Sequence, residues 1–528
     1  MCEALDGRQT EDMTRLWEPE RLSIVFVLRD RELAIRVRDH YTGGSFLING
    51  VSRFQAYTSL HPPCNLSTPS NVSSVAHALS SVRSKGDTMF SAEQETDTVV
   101  IGGGIAGLAA ATFIARSGQR VRLIEQSTHL GGRARTKVQD GFYLNIGPHA
   151  LYRDGAGYRI LKELGVEPHG AVPSVSGAFA IYEGVKHTFP AGLVSLLTTG
   201  LFGLSAKLET ARLLSSLPKI DGSPLMSVSV RDWVESELGH PTVRELIHAT
   251  FRVSTYTNAP ELMSAGSAIE QLKKALGKGV LYLDHGWQTL VDGLIESAKS
   301  AGVAMETGVK VSCVERGMSG RVEAVRLGDG RTYRASTVVL ASSPALASAL
   351  LEEGERTSLS KWAARAIPVK AACLDIALSR LPDPRARFAL GIDAPFYFSV
   401  HSASARLAPE GAAMIHVAKY LPPDHAARAE DVEREMEALL DLMQPGWRDL
   451  VVYRRMLPDM VVMNAIATIE TAGTERRPGP AVPDVPGLFV AGDWVGREGL
   501  LVDASLASAK RAAELIVEQR TTAAAVSA

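Results

Sequence analysis

Three glycines and one acid are spaced to grip a dinucleotide. Gly102, Gly104 and Gly107 form G-x-G-x-x-G directly after the run Val99-Val100-Ile101, and Glu125 closes a second apolar run, Val121 to Ile124. Each glycine has its own task. Gly102 allows the tight turn, Gly104 lets a pyrophosphate approach the backbone, and Gly107 lets a helix pack closely on the strand. Ile105 and Ala106 follow the turn and lead into the Ala-rich stretch Leu108 to Ser117, a helix whose first N–H groups can face a diphosphate. Glu125, with Gln126 beside it, stands where a carboxylate takes ribose hydroxyls; an acid there favours a free 2′-hydroxyl and disfavours NADP.

These residues need a strand–helix–strand unit to hold them. The β-branched run at 99–101 suits a buried parallel strand, and the apolar stretch at 121–124 suits its neighbour. The chain has 528 residues, enough for two interleaved domains, and a net charge of −2, so no nucleic-acid partner is expected. The four cysteines, Cys2, Cys64, Cys313 and Cys373, are spaced for neither a metal site nor a disulfide framework, so no metal and a reducing cytoplasmic setting are expected. No basic start with an apolar core marks a secretory signal. Residues 1–93 stand apart: Ser59 to Ser84 is rich in Ser, Pro and Asn. A disordered extension, or an upstream start that is not used, is expected there; the alternative is a small accessory domain built on Leu22 to Val37.

A second glycine pair separates the dinucleotides. From Leu130-Gly131-Gly132-Arg133 onward the chain resembles the flavin-containing amine oxidase and phytoene desaturase superfamily. The likeness continues through Gly141 to His149, where Asn145 replaces the family's usual acid ahead of Gly147, Pro148 and His149. It resumes at Pro486 to Trp494 and in the final helix, so it spans about residues 95 to 518. Gly286-Trp287-Gln288-Thr289-Leu290 is similar to the family's Gly-Gly-x-x-x-Leu turn, with His285 where the first glycine would be.

The resemblance implies an α/β fold. A Rossmann-type, glutathione-reductase-like FAD-binding domain (94–165, 284–345 and 484–520) would be interleaved with an α+β substrate domain (166–283 and 346–483) that has an antiparallel sheet and a helical part. It implies non-covalent FAD, held by the residues above together with Gly132, Arg133 and the Gly147-Pro148-His149 turn. Val311 would offer its backbone to the adenine, Gly492 and Asp493 would meet the diphosphate and ribityl chain, and Val502 and Ala504 would lie in a final helix whose positive end faces the flavin.

The pattern between these motifs reads as follows. Helices are expected at Ser229 to Leu238, Pro241 to Thr250, Pro260 to Leu276, Thr289 to Ala301 and Asp431 to Met443. Strands are expected over Val303 to Val314, Val322 to Leu327, Thr332 to Leu340, Lys370 to Leu378, Phe396 to His401 and Ala412 to Tyr420, the last three forming an antiparallel floor. Thr188 to Ala206 carries no charge; a helical hairpin walling an apolar cavity or the core is expected, with peripheral membrane contact through 188–206 as the alternative and true spanning disfavoured.

The expected chemistry is hydride transfer from an apolar, isoprenoid- or carotenoid-like substrate to flavin N5, giving a new double bond, with oxygen or a quinone reoxidising the flavin. Amine oxidases carry an aromatic residue after the first glycine of the last motif; Leu500 follows Gly499 here, which moves weight from amines to apolar substrates. His149, Lys370 and Asp503 are candidates for the proton acceptor, although Asp503 reads first as a helix N-cap and second as a contact to the flavin edge. The rival readings are an amine or protoporphyrinogen oxidase, a redox-neutral flavin isomerase, and a non-enzymatic prenyl- or lipid-binding protein of the same fold.

Overall fold

The computed structural model describes residues 96–352 and 354–527, with side chains to residue 522, and of the first 95 residues only four strands. The chain divides into two units, 1–92 and 93–528. In the first, Met13–Trp17, Leu22–Arg29, Glu32–Asp39 and Ser45–Ile48 pair antiparallel in sequence order. Two of these strands fall on the apolar stretch 22–37. The remainder of the expected extension lies outside the described residues.

In the second unit a parallel sheet of five strands runs in the order Ala304–Thr307, Val121–Glu125, Thr98–Ile101, Thr337–Leu340, Leu488–Val490. The β-branched strand Thr98–Ile101 is central and buried along its whole length, as a parallel strand covered on both faces must be. On one face, the helix Ile105–Arg116 packs Leu108, Ala109 and Ile114 against Leu290 and Leu294 of Gln288–Ser300 and Ala509 and Ala513 of Leu501–Ser527. On the other, Val99, Ile101, Val338 and Leu340 meet Val314 and Val325 of an antiparallel meander, Val311–Arg316, Val322–Leu327 and Thr332–Arg334. The chain adds strands to both sides of Thr98–Ile101, so the carboxyl ends of neighbouring strands open a crevice at a topological switch point.

Two of the expected strands are each split in the structure. Val303 to Val314 becomes an edge strand of the parallel sheet and the first strand of the meander, broken at Gly308 (φ 72°). Thr332 to Leu340 divides in the same way at Ala335 and Ser336. Continuous apolar alternation hid a change of sheet in both.

The larger sheet has seven strands, ordered Val185–Thr188, Ala178–Tyr182, Phe388–Gly391, Phe396–Val400, Ala413–Leu421, Val369–Leu378, Val451–Met463. Its pairs are antiparallel except Ala178–Tyr182 with Phe388–Gly391. The three expected floor strands are adjacent within it. Ala429–Met443 covers one face, burying Val432, Met436, Leu439, Leu440 and Met443 at helical spacing. Val230–Glu237, Pro241–Thr255 and Ala265–Leu276 build the helical part, with Ser229 and Ser264 as side-chain N-caps.

The segment 188–206 meets expectation in part. It forms Leu193–Thr198 and the start of Leu204–Ser216. Leu196, Leu201, Phe202 and Ala206 turn inward, whereas Leu193, Val194, Leu197, Leu204 and Leu208 are 61–76% exposed. The hairpin therefore walls the core with one face only, and about half of its apolar side chains face out.

The tightest contact in the parallel unit is backbone on backbone. A Cβ at position 107 would lie 1.8 Å from the Gly102 carbonyl oxygen. Gly107→Ala is expected to force the helix off the strand and destabilise the fold by about 3 kcal/mol or more, since backbone cannot step aside as a side chain can. Thermal or urea unfolding checks this, and wild-type stability in the variant would contradict it.

Candidate functional site

The crevice at the carboxyl ends of the parallel strands deepens into a cavity of about 510 Å³. The residues just past the central strands line it: Gly102, Ala341 and Ala491. Gly102 sits at φ 110°, and a Cβ there would meet the Ala341 carbonyl oxygen at 2.4 Å, so only glycine can make this turn. A Cβ at Gly104 would meet nothing within 4 Å. That backbone faces open cavity, where a ligand can touch it directly. Ile105 and Ala106 also line the cavity, in a helix with no side-chain cap and no acid in its first turn. Its leading N–H groups are thus left for an anion. Gly107 lies behind them and packs against Gly102.

Glu125 ends its strand at the other side of the turn. Its carboxylate accepts hydrogen bonds from Gly103 N and Ser127 N, both at 2.7 Å. These fix its orientation beside Gln126 and Val311, which line the same end. The second glycine pair closes over the first: Gly131 N donates to Gly103 O at 2.8 Å. Gly132 and Arg133 line the wall, and Arg133 reaches Asp493 at 2.8 Å. Asp493 is buried and also accepts from Asn464 Nδ2 at 2.9 Å. Its carboxylate therefore ties the glycine loop, the C-terminal strand and the segment after Val451–Met463 together, with Gly492 beside it on the cavity wall.

The far end is aromatic and apolar. Pro148, His149, Tyr256, Trp287, Met460 and Leu501 line it, with Val502 and Ser505 of the final helix. The Tyr256 hydroxyl donates to Pro148 O at 2.9 Å. Trp287 Nε1 is buried without a hydrogen-bond partner among the described residues, a donor available to a ligand acceptor. His149 Nδ1 lies 3.0 Å from Gly147 O, so it carries the proton and Nε2 is left as an acceptor. Burial lowers the His149 pKa to about 4, and the ring is neutral at ordinary pH.

Several expected site residues stand elsewhere. Lys370 pairs with Asp459 at 2.9 Å and does not line the cavity. Asp503 is buried, but its carboxylate accepts from Gly157 N at 2.9 Å and meets Lys274 at 3.3 Å. It caps the helix Ala156–Glu163 across space and does not cap its own. Gly147 lies under Met460 and Ala504 is fully buried, so neither lines the cavity. Leu500 points into the core, and Leu501, at φ 56°, is the residue that this turn presents to the cavity. Asn145 ties the hairpin to the Trp287 turn, accepting from Trp287 N at 3.0 Å.

Sequence reasoning passed over Ala341-Ser342-Ser343, Tyr256, and Met460, Val461, Val462 and Asn464, all on the cavity wall. Small residues directly after the apolar strand Thr337–Leu340 were the one signal for the first of these. Behind the wall, Cys373, Asp375 and His416 bring their donor atoms within 4.8 Å of one another. Their contacts are hydrogen bonds: Cys373 Sγ and His416 Nδ1 donate to Asp375 at 3.2 and 2.6 Å, and Arg455 Nε donates to the same carboxylate at 2.9 Å. Arg455 is the positive charge that pairs with this buried carboxylate.

The donor set fits FAD: open backbone amides for a diphosphate, a fixed acid for a ribose diol, and an orphan indole N–H at an aromatic end. Glu125→Ala is expected to weaken FAD binding by about tenfold to a hundredfold, the range for losing a charge-assisted hydrogen bond; fluorescence titration of apoprotein checks this, and unchanged affinity contradicts the assignment. Folding stability carries a pH signature as well. His149 and His248 are held near 4 by burial, below their ordinary 6.5, and burial holds His401 well below its ordinary value too. Between those values the unfolded chain binds protons that the folded chain refuses, so stability is complete above 6.5 and falls as pH drops towards 4. His149→Asn should remove one proton from that slope, about 1.4 kcal/mol per pH unit, in denaturation curves taken across the window. An unaltered slope would show that this imidazole is not kept neutral.

Comparison with known proteins agrees with this geometry. Over 283 residues the chain is 25% identical to a 4,4'-diaponeurosporene oxygenase of Staphylococcus aureus, an alignment covering 46% of this chain and 54% of the oxygenase. The chain thus spans about half the length of the curated relatives it matches. Among solved structures it is similar to an oxidoreductase from Methanosarcina mazei (TM-score 0.63, 20% identity, 80% of this chain and 100% of that one). It is also similar to cyclohexylamine oxidase from Brevibacterium oxydans (TM-score 0.57, 18% identity, 81% and 100%). The family of flavin-containing amine oxidoreductases matches residues 105–517. With its strand-end glycines, Glu125 and the Arg133–Asp493 clasp gathered around one cavity, the chain belongs to that family, and its cofactor is FAD.

Proposed function

We propose that this protein removes hydride from an apolar, isoprenoid- or carotenoid-like substrate and leaves a new double bond, in the manner of a desaturase. One observation carries the reading. The cavity has two acids among its lining residues, Glu125 and Asp493, and both are engaged away from the aromatic end. An ammonium group bound beside Tyr256, Trp287 and Met460 would have no carboxylate to pair with there, whereas an apolar chain would be well solvated. The likeness to a carotenoid-type oxygenase supports the same substrate class.

The parallel sheet, with strands drawn only from 94–165, 284–345 and 484–520, acts as the Rossmann-type cofactor half. The seven-stranded sheet, drawn only from 166–283 and 346–483, acts as the substrate half. Bound FAD supplies a two-electron acceptor, which oxygen or a quinone then regenerates. The chain supplies the rest. The Gly102–Ala106 backbone and Glu125 hold the diphosphate and ribose, and neither described cysteine lines the cavity, in keeping with non-covalent binding. Tyr256, Trp287, Met460 and Leu501 orient the substrate and exclude water. His149 Nε2 is the acceptor at that end able to receive the proton lost with the hydride, a weak base that passes it on readily.

An apolar substrate resides in membranes. Among the described residues no helix is long and apolar enough to cross one. The exposed Leu193, Val194, Leu197, Leu204 and Leu208 offer a surface that can rest on one instead. Flotation with liposomes is expected to carry the wild-type protein upward and leave behind a variant with Leu193, Leu197 and Leu204 changed to Ser; equal behaviour of the two would remove the membrane from this account.

Anaerobic spectroscopy tests the reaction. A polyene or squalene-type substrate is expected to bleach the flavin absorbance near stoichiometrically, while simple primary amines leave it yellow. Bleaching by amines alone would replace the desaturase reading with an amine oxidase.

A further inference from the structure

Arg477 is a buried charge with no ion-pair partner within 4 Å among the described residues. It is 7% exposed. Its Nη1 donates to Gly499 O at 3.0 Å, while Nε and Nη2 are buried with no hydrogen-bond partner among the described residues. Asp493 is the carboxylate whose field reaches it, yet both Asp493 oxygens are already used, by Arg133 at 2.8 Å and by Asn464 at 2.9 Å. The other ion pair beside Gly499, Lys274 with Asp503 at 3.3 Å, is closed on itself. Burial lowers the Arg477 pKa only to about 10, so the guanidinium keeps its proton at neutral pH. A buried, under-bonded cation is costly unless negative charge comes near it.

The position of that charge is specific. Arg477 holds Gly499 O, and the next residue, Pro478, accepts from Gly496 N at 2.8 Å. Both ends of the 496–499 turn are thus fastened to the segment bearing Arg477. The turn leads straight into Leu501 and Val502, the cavity-lining start of the final helix. The diphosphate end is served separately, by the uncapped helix Ile105–Arg116 and by Arg133.

We infer that Arg477 is an electrostatic determinant of the flavin's reduction potential, acting across the Gly499 turn on the negative charge the ring gains when reduced. This rests on the proposed function and on the expectation that the positive end of the final helix, where Leu501 and Val502 line the cavity, faces the flavin. A full positive charge there adds to the partial positive charge of the final helix's N-terminus. Both favour reduced over oxidised flavin, and both make the ring a better hydride acceptor. The role is one of tuning and requires no contact with the ring.

The experiment compares wild-type protein with R477M, R477Q and R477K, each reconstituted with FAD and titrated against a redox dye. The two neutral variants are expected to bind FAD yet prefer its reduced form about tenfold less than wild type, a fall of about 30 mV for a two-electron couple. R477K, which keeps the charge, should stay near wild type. Neutral variants with the wild-type potential would overturn the inference, leaving Arg477 a fastener of the turn. If neither neutral variant folds, the wild-type holoprotein decides. Reduced flavin that remains anionic below the pH at which free reduced flavin takes a proton supports the inference, and protonation at the same pH as free flavin overturns it. Wild-type protein that takes up no FAD is a different failure, seen at reconstitution before any potential is read; it removes the functional reading and this inference with it.

Discussion

The approach of the first helix to the central strand governs this structure. Ile105–Arg116 lies so near the turn that the 107 backbone and the Gly102 carbonyl leave no room for a methyl group. That closeness aims the helix's uncapped N–H groups at the carboxyl ends of Thr98–Ile101 and Thr337–Leu340. A helix displaced by a side chain's width would point its partial charge elsewhere. The cavity exists where it does because two glycines, five residues apart, allow backbone to touch backbone.

The remainder of the site is brought to this point by a few long-range ties. Asp493 links Arg133 of the glycine loop to Asn464, which follows the edge strand of the larger sheet. Arg455 on that same strand holds buried Asp375 and reaches the Asn145 carbonyl. Asn145 in turn holds the Trp287 turn. Residues separated by hundreds of positions thus share one polar framework behind an apolar wall. Removing one partner would leave a buried charge or donor unsatisfied, a far larger loss than any surface ion pair represents.

The sequence disclosed the parts of this arrangement that local chemistry dictates. Gly102, Gly104, Gly107 and Glu125 were legible because turn, approach and ribose recognition each demand a residue type at a fixed spacing. Ala429–Met443 was legible because its five buried residues repeat at helical period. Leu501 was not, since which of two adjacent leucines faces a cavity depends on a single positive φ, and alternation carries no such information. The role of Asp503 was hidden for another reason: the amide it caps lies 346 positions away. The exposed leucines of 193–208 show the limit of composition, which says that a segment is apolar without saying what covers it. Arg477 gave no sequence signal, because an arginine is ordinary until its burial and its missing partners are known.

The central claim is that one cavity, at the carboxyl ends of the parallel strands, holds one FAD by its diphosphate and ribose. Isothermal titration of apoprotein with FAD, repeated on Gly104→Glu, tests it most directly. Wild-type protein should bind one equivalent, and the variant, whose carboxylate would project into the open space at residue 104, should bind none while remaining folded. Full uptake by the variant, or no uptake by wild type, would contradict it.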